Sequence, residues 1–200
     1  MKLVVATKNK NKFTEIQNKL GGIAGLEIVS LLSYPDSPEV VEDGDTFESN
    51  ALKKARIIAQ FTGLPALADD SGLAVAALGG RPGVLSARYG GTELSDSERN
   101  LLLLKELDTA GVTEMSACFV CVIAVAMPGG ETCTARGECR GIITDQMKGD
   151  RGFGYDPIFY LPELNRTMAE LSMDEKNRIS HRGLALDRAR EIIESLTRSA

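Results

Sequence analysis

Met115–Met127 (MSACFVCVIAVAM) and Glu131–Thr144 (ETCTARGECRGIIT) are two strand-like stretches joined by Pro128-Gly129-Gly130. The Pro-Gly-Gly link is a hairpin signal, so the two stretches are expected to run antiparallel. Everywhere else apolar strand-like runs alternate with helical patterns, which is the mark of an α/β chain. One hairpin inside that alternation predicts a mixed central sheet rather than a purely parallel one.

Working outward from the hairpin, Ser95-Asp96-Ser97-Glu98 is a capping-box pattern that opens a helix through Leu107. Before it come Pro65–Ala68, a short strand, then Asp69–Gly72, then Leu73–Leu78 and the turn-rich Gly79–Gly83. A longer helix is expected from Phe47 to about Thr62, capped by Asp45 or Thr46 and stopped by Gly63 and Pro65. A Pro-, Asp- and Glu-rich loop, Ser33–Asp45, separates it from a strand at Leu26–Leu32. The chain opens with a strand at Lys2–Ala6 and a basic loop, Thr7–Lys12. A helix with Phe13, Ile16, Gln17 and Leu20 at helical spacing follows, ended by Gly21-Gly22. Downstream of the hairpin lie a glycine-rich loop, Asp150–Asp156, a short strand at Ile158–Tyr160, and helical patterns around Thr167–Leu171 and from Arg182 to about Leu196. No repeat and no long linker divides the chain, so residues 1–200 read as one domain.

The composition is that of an ordinary globular protein, with 43% apolar and 26% charged residues. A net charge of -5 argues against duplex nucleic acid as the main partner, which usually needs a basic surface. No apolar run is long enough to span a bilayer, and Met1–Ala6 reads as a strand and not a signal peptide. The expected location is the cytoplasm, with no membrane partner. Cys118 and Cys121 form a CxxC inside a strand-like run. Residues three apart on a strand face opposite ways, so their sulfurs diverge. With no second CxxC and only one histidine, His181, the cysteines are expected to be core-filling thiols.

Four polar clusters carry chemistry. Thr7, Lys8, Asn9, Lys10, Asn11 and Lys12 stand between a strand and a helix start, where backbone N–H groups and lysines suit a phosphate; the bland alternative is a solvated basic loop. The second cluster is acidic: Glu42 and Asp43 before the long helix, and Asp69 and Asp70 after a short strand. Carboxylates so placed suit Mg²⁺, a hard cation that takes oxygen ligands, although Asp-Asp-Ser-Gly is equally a polar turn. In the third, Gly152–Pro157, glycines allow close approach, Phe153 or Tyr155 could stack on a base, and Asp156 could accept from a base edge. The fourth places Lys176 near His181 and Arg182, three donors for an oxygen-rich ligand. Cations for phosphates, acids for a metal and aromatics for a base are together the inventory for a nucleotide with Mg²⁺. The absence of Trp, of a Cys/His pair and of GxSxG points away from nucleophilic hydrolase chemistry.

On these residues the chain resembles the inosine/xanthosine triphosphate pyrophosphatases, which act on non-standard purine nucleotides. The matching pieces are Ala6-Thr7-Lys8-Asn9 to Lys12, Phe47-x-x-Asn50-Ala51-x-x-Lys54-Ala55, Ala68–Leu73, Gly79–Tyr89, Gly152–Phe159, and Ala169-Glu170-Leu171 through Lys176 to Ser180-His181-Arg182. They run in family order over nearly the whole chain. The resemblance implies an elongated mixed sheet flanked by helices, two lobes with a nucleotide cleft, a homodimer, and hydrolysis of ITP, dITP and XTP to the monophosphate and pyrophosphate. It also implies roles. Thr7–Lys12 would form the phosphate loop, with Lys54 a further phosphate contact. Glu42 and Asp70 would hold Mg²⁺, Asp43 being the adjacent competitor for Glu42. Asp70 would be the proton acceptor; on physical grounds Asp69 is expected to assist it, since two adjacent carboxylates raise each other's pKa. Ser71, Phe153, Gly154, Tyr155, Asp156, Lys176, His181 and Arg182 would contact the substrate, with the last three cationic or imidazole donors reading the 6-oxygen of the purine. Two rivals are a related pyrophosphatase for modified pyrimidine nucleotides and a nucleotide-binding regulator without turnover.

Overall fold

The computed structural model describes residues 1–111 and 113–199. In chain order the elements are β1 (Lys2–Val5), α1 (Lys10–Leu20), β2 (Glu27–Ser30), α2 (Phe47–Thr62), β3 (Ala66–Val75), α3 (Asp96–Thr109), β4 (Ser116–Ala126), β5 (Thr132–Ile143), β6 (Phe159–Leu161), β7 (Arg166–Thr167), α4 (Met173–Ile179) and α5 (His181–Ser199). The strands form one mixed sheet in the order β2-β1-β3-β4-β5-β6-β7, flanked by helices. β1 runs parallel to β2 and to β3, while β6 is antiparallel to both β5 and β7. The Pro128-Gly129-Gly130 link closes the β4–β5 hairpin, with the Met127 N–H donating to Glu131 O at 2.9 Å.

Two compact units divide the described chain. The first comprises 1–70, 121–137 and the segment from His181 onward; the second comprises 71–120 and 138–180. In the first, Leu3 and Val5 of β1, Ile16 and Leu20 of α1, Ile123 and Val125 of β4, and Leu186 and Ile193 of α5 form the core. α5 comes close to β5 because Gly137 has no side chain: a Cβ there would lie 2.1 Å from His181 O and 2.4 Å from the Ala185 nitrogen. In the second, Leu73, Leu103, Leu107, Phe119, Ile158 and Phe159 form the core, with the Phe119 and Phe159 rings 4.4 Å apart. Cys121 is buried in the first core and Cys139 in the second, and burial raises their thiols to about 12 and about 11, so both stay protonated packing groups.

Helix ends follow the local chemistry. Thr46 and Ser49 form a capping box on α2, whose far end closes on Gly63 in the left-handed conformation at φ 66. Ser95 and Glu98 do the same for the start of α3. The structure departs from the sequence expectations in three places. Asp69-Asp70-Ser71-Gly72 is neither a turn nor a strand end: it lies inside the ten-residue β3. Lys10–Lys12 belong to the first turn of α1 and not to a loop. The pattern at Thr167–Leu171 yields only a 3-10 turn, Met168–Glu170, and the helix that follows is α4, capped by Ser172 and Glu175.

Candidate functional site

β3 carries Asp69 and Asp70 side by side in the first unit. Neighbours on a strand point to opposite faces, and these two acids find different partners. Asp69, 2% exposed, receives Lys12 at 3.0 Å and both Nε and Nη2 of Arg182 at 3.1 Å. Arg182 is itself 1% exposed, and its Nη1 donates to the buried Glu15 of α1. A buried chain, Glu15–Arg182–Asp69–Lys12, therefore joins the start of α5, the middle of β3 and the first turns of α1. Burial alone would raise the Asp69 pKa, but Lys12, Arg182 and Lys54 outweigh it and hold the carboxyl far below its usual range. Asp69 is a fixed anion.

Asp70 has the opposite character. Its Oδ2 accepts from the Asn50 amide at 3.0 Å, and its Oδ1 lies 4.0 Å from Lys54 Nζ. Burial raises its pKa to about 6; Lys54 opposes the rise, Glu42 adds to it, and the Asn50 hydrogen bond opposes it. The like charge that lifts Asp70 is thus Glu42, not Asp69, which corrects the expectation that the adjacent pair raise each other. Lys54 also reaches Glu42 Oε1 and donates to the Asp69 carbonyl at 2.6 Å. Burial would lower its pKa, yet Asp69, Glu42 and Asp70 together raise it, so it is a firm cation. Asp43 turns outward to Lys53 at 2.6 Å and is exposed. Of the two adjacent acids, Glu42 is the one that faces Asp70's cation.

Glu42 and Asp70 thus converge on a single ammonium. The pair offers hard oxygens in a partly buried place where one positive charge offsets two carboxylates, and that donor set suits Mg²⁺, which binds one or two carboxylates and keeps several waters. Among the described residues no set of three or more His, Cys, Asp or Glu side chains converges as a closed metal cage.

The Thr7–Lys12 segment is organised around Asn9, the N-cap of α1. Its Oδ1 accepts from the backbone N–H groups of Asn11 at 2.9 Å and Lys12 at 3.2 Å, and Thr7 Oγ1 accepts from the Asn9 N–H at 3.1 Å. The amide oxygen stands where an anion would meet the helix start. Lys8, Asn9, Lys10 and Asn11 are exposed, whereas Thr7 and Lys12 are half-buried.

The second unit holds the glycine-rich loop. Asp156, buried, accepts from the Phe153 N–H at 2.9 Å and from Lys176 Nζ at 2.6 Å. The Lys176 ammonium also stands 4.7 Å above the Phe153 ring. Gly154, at φ 63, donates its N–H to Asp96 at 2.7 Å and accepts from Asn100 at 3.1 Å, so α3 grips the loop. Tyr155 is a core residue whose hydroxyl donates to Ser86 O at 3.1 Å. Phe153, by contrast, is only half-buried. Ser71 is half-buried on β3, where a Cβ at the next residue, Gly72, would lie 2.4 Å from both Gly83 O and Ser86 Oγ.

The structure thus gathers Lys12, Glu42, Lys54, Asp69, Asp70, His181 and Arg182 into the first unit, and Ser71, Phe153, Gly154, Tyr155, Asp156 and Lys176 into the second. Sequence reasoning did not assign Glu15 or Asn50. Spacing carried a signal for both: Glu15 lies three residues from Lys12 on α1, and Asn50 four residues from Lys54 on α2, so each shares a helix face with a chosen lysine.

Residues 3–192 match the model of the Ham1 family. A dITP/XTP pyrophosphatase of Geobacter sulfurreducens is 54% identical over 185 residues, 92% of each chain. A dITP/XTP pyrophosphatase of Desulforamulus reducens is 51% identical over 196 residues, 98% of this chain and 97% of the relative. The solved structure of a HAM1 protein from Coxiella burnetii agrees with a TM-score of 0.89 at 41% identity, covering 100% of both chains.

Proposed function

The chain belongs to the Ham1 family, and from that premise we propose that it hydrolyses non-standard purine nucleoside triphosphates, dITP, XTP and ITP, to the monophosphate and pyrophosphate. The observation that carries the mechanism is the split between the two β3 acids: Asp69 locked as an anion by Lys12 and Arg182, Asp70 raised to about 6 beside Glu42 and Lys54.

Release of pyrophosphate requires attack on the α-phosphorus. A water oxygen bonds to that phosphorus, the bond to the bridging oxygen breaks, and pyrophosphate leaves with that oxygen. Asp70 takes the water's proton; in the metal-free chain its pKa is raised to about 6, so it is ionised at neutral pH and more basic than an ordinary carboxylate. Lys12 and Lys54, with the exposed Lys10, offset charge on the β- and γ-phosphates. Lys12 must turn from Asp69 to do so, and Arg182 keeps Asp69 paired when it does. Glu42 and Asp70 would hold Mg²⁺, which when bound polarises a phosphoryl oxygen and adds positive charge against the triphosphate.

In the second unit, Phe153 supplies a stacking face and Lys176 a donor for a 6-oxygen, with Asp156 holding both in register. An amino group at that position, as in ATP, would face the Lys176 ammonium, donor against donor, with no hydrogen bond between them. His181, buried at the start of α5, is proposed as a further substrate contact. Among the described residues no helix is long and apolar enough to cross a membrane. Homodimeric assembly and a cytoplasmic location are proposed on the family resemblance.

A panel of ITP, dITP, XTP, ATP, GTP, dUTP and dTTP, assayed for monophosphate and pyrophosphate with and without Mg²⁺, tests the reading. ITP, dITP and XTP should be turned over fastest and only with the metal; equal turnover of ATP, or release of orthophosphate, would overturn it. Phe153→Ala should raise KM for every purine substrate by roughly 5- to 100-fold, the worth of one base–aromatic stack. The ITP-to-ATP preference should not move, because a ring face reads no base edge. A changed preference with unchanged KM would count against the stacking role.

A further inference from the structure

Asn50 sits on the first turns of α2, 1% exposed, and touches two parts of the proposed metal site at once. Its Nδ2 donates to Asp70 Oδ2 at 3.0 Å, and its Oδ1 accepts from the Gly44 N–H at 2.8 Å. The same Nδ2 also faces the Gly44 carbonyl at 3.4 Å. A carboxylate only accepts, so the amide nitrogen must face Asp70, and the oxygen is left for the backbone N–H of the loop. One planar group therefore ties the β3 carboxylate to the segment two residues beyond Glu42. The tie is tight on the loop side: a Cβ on Gly44 would lie 2.8 Å from Asn50 Oδ1 and 2.2 Å from Ser49 Oγ. The loop's downstream end is held by the Thr46–Ser49 capping box of the same helix.

We infer that Asn50 is a positioning residue, a fixed spacer that presets the Glu42 and Asp70 carboxylates as a joint site for a divalent cation. Glu42 stands outside any helix or strand and pairs there with Lys54, the cation that a metal must displace. With Asn50 in place, the loop enters the site already oriented by a neutral group that an arriving cation does not repel. Partners one step removed from a metal typically change its affinity by about 10- to 100-fold when removed. The inference rests on the reading that Glu42 and Asp70 hold the metal, so its test must separate the two.

The full-length, substrate-free protein is titrated with Mn²⁺, an oxygen-seeking stand-in for Mg²⁺, and free Mn²⁺ is read by electron paramagnetic resonance. Wild type, Asn50→Ala, Gly44→Ala, Glu42→Gln and Asp70→Asn are compared, each with its urea transition recorded. Asn50→Ala should weaken Mn²⁺ binding by about 10- to 100-fold. Gly44→Ala, whose Cβ would press on Asn50 Oδ1 and on the Ser49 hydroxyl while leaving the Asn50 amide in place, should weaken it in the same direction and keeps the test alive if the first variant does not fold. In turnover, the Mg²⁺ concentration for half-maximal activity should rise by the same factor while the rate at saturating Mg²⁺ returns toward wild type, a split that general loss of structure does not give. Folded Asn50→Ala with wild-type Mn²⁺ affinity, when Glu42→Gln has lost it, overturns the spacer and leaves the metal site standing. Wild-type affinity in Glu42→Gln and Asp70→Asn alike overturns the metal site, and the spacer with it.

Discussion

Asp70→Asn should abolish most turnover and at the same time stabilise the metal-free protein. The loss follows from its proposed role as proton acceptor: a positioned general base contributes about 10²- to 10⁴-fold. The gain follows from its burial. The folded chain raises Asp70 from 3.8 to about 6, with burial the largest cause and Glu42 adding to it. Between about pH 4 and pH 6 the folded chain still holds a proton that the unfolded chain has released, so stability falls as pH rises through that window. Above pH 6 the deficit is complete, roughly 2–3 kcal/mol for a shift of this size. Asparagine keeps the shape without the charge. Urea midpoints of chelator-treated wild type and variant should therefore coincide near pH 4, diverge in the variant's favour through pH 6, and stay apart at pH 7.5. A variant less stable than wild type at pH 7.5, or near-normal kcat, would refute the assignment. The pattern is that of a site where folding stability is given up for reactivity.

How much of this could be read in advance differs from place to place. The β4–β5 hairpin was fully legible, because Pro128-Gly129-Gly130 is a local signal and the apolar runs beside it are long. α2 was equally legible, since its caps, Thr46 and Gly63, lie beside it in sequence. Asp69-Asp70-Ser71-Gly72 misled as to structure for the same reason: locally it has the composition of a turn. What makes it a strand is distant, namely Arg182, 113 positions from Asp69, and Asn50, 20 positions from Asp70. Once those partners satisfy the carboxylates, nothing prevents the backbone from pairing in the sheet. α4 was missed because Met173 and Ile179 are its only apolar residues and give no period, although Ser172 and Glu175 spell a capping box. What separates Glu42 from Asp43 is where Lys54 and Lys53 lead each of them: Glu42 pairs with the lysine beside Asp70, Asp43 with an outward one. Lys176 and Arg182, read from sequence as donors for a base, both lie in buried ion pairs. Only the fold could show that, since their acids lie 20 and 113 residues away.

That burial makes Arg182→Met the costliest single change expected in the first unit. Its guanidinium serves Asp69 with two nitrogens and Glu15 with a third, and both carboxylates are almost fully enclosed. Methionine fills much of the volume but takes the guanidinium away from both acids, leaving Lys12 and the nearby Lys54 as the cations acting on Asp69. Breaking a buried pair by removing one partner typically costs about 3–5 kcal/mol. The pH dependence should identify the cause. In the wild type the depressed Asp69 pKa contributes stability that is present above the unfolded value of about 3.8 and fades as pH falls below it. The variant loses that contribution, so the gap between the two proteins should be widest at pH 7 and narrow toward pH 3 and below. Glu15→Gln in the same chain should recover part of the loss, since it removes one of the two buried charges that Arg182 neutralises. A double-mutant cycle on Glu15 and Arg182, followed by urea unfolding, measures the coupling directly. Additive losses, or a gap that does not change with pH, would show that Arg182 acts as packing and not as the clamp on Asp69. The cycle also bears on base selectivity. A lost ITP preference in an Arg182 variant means base reading only if Asp69 and Lys12 are still in place, and the pH dependence of stability reports whether they are.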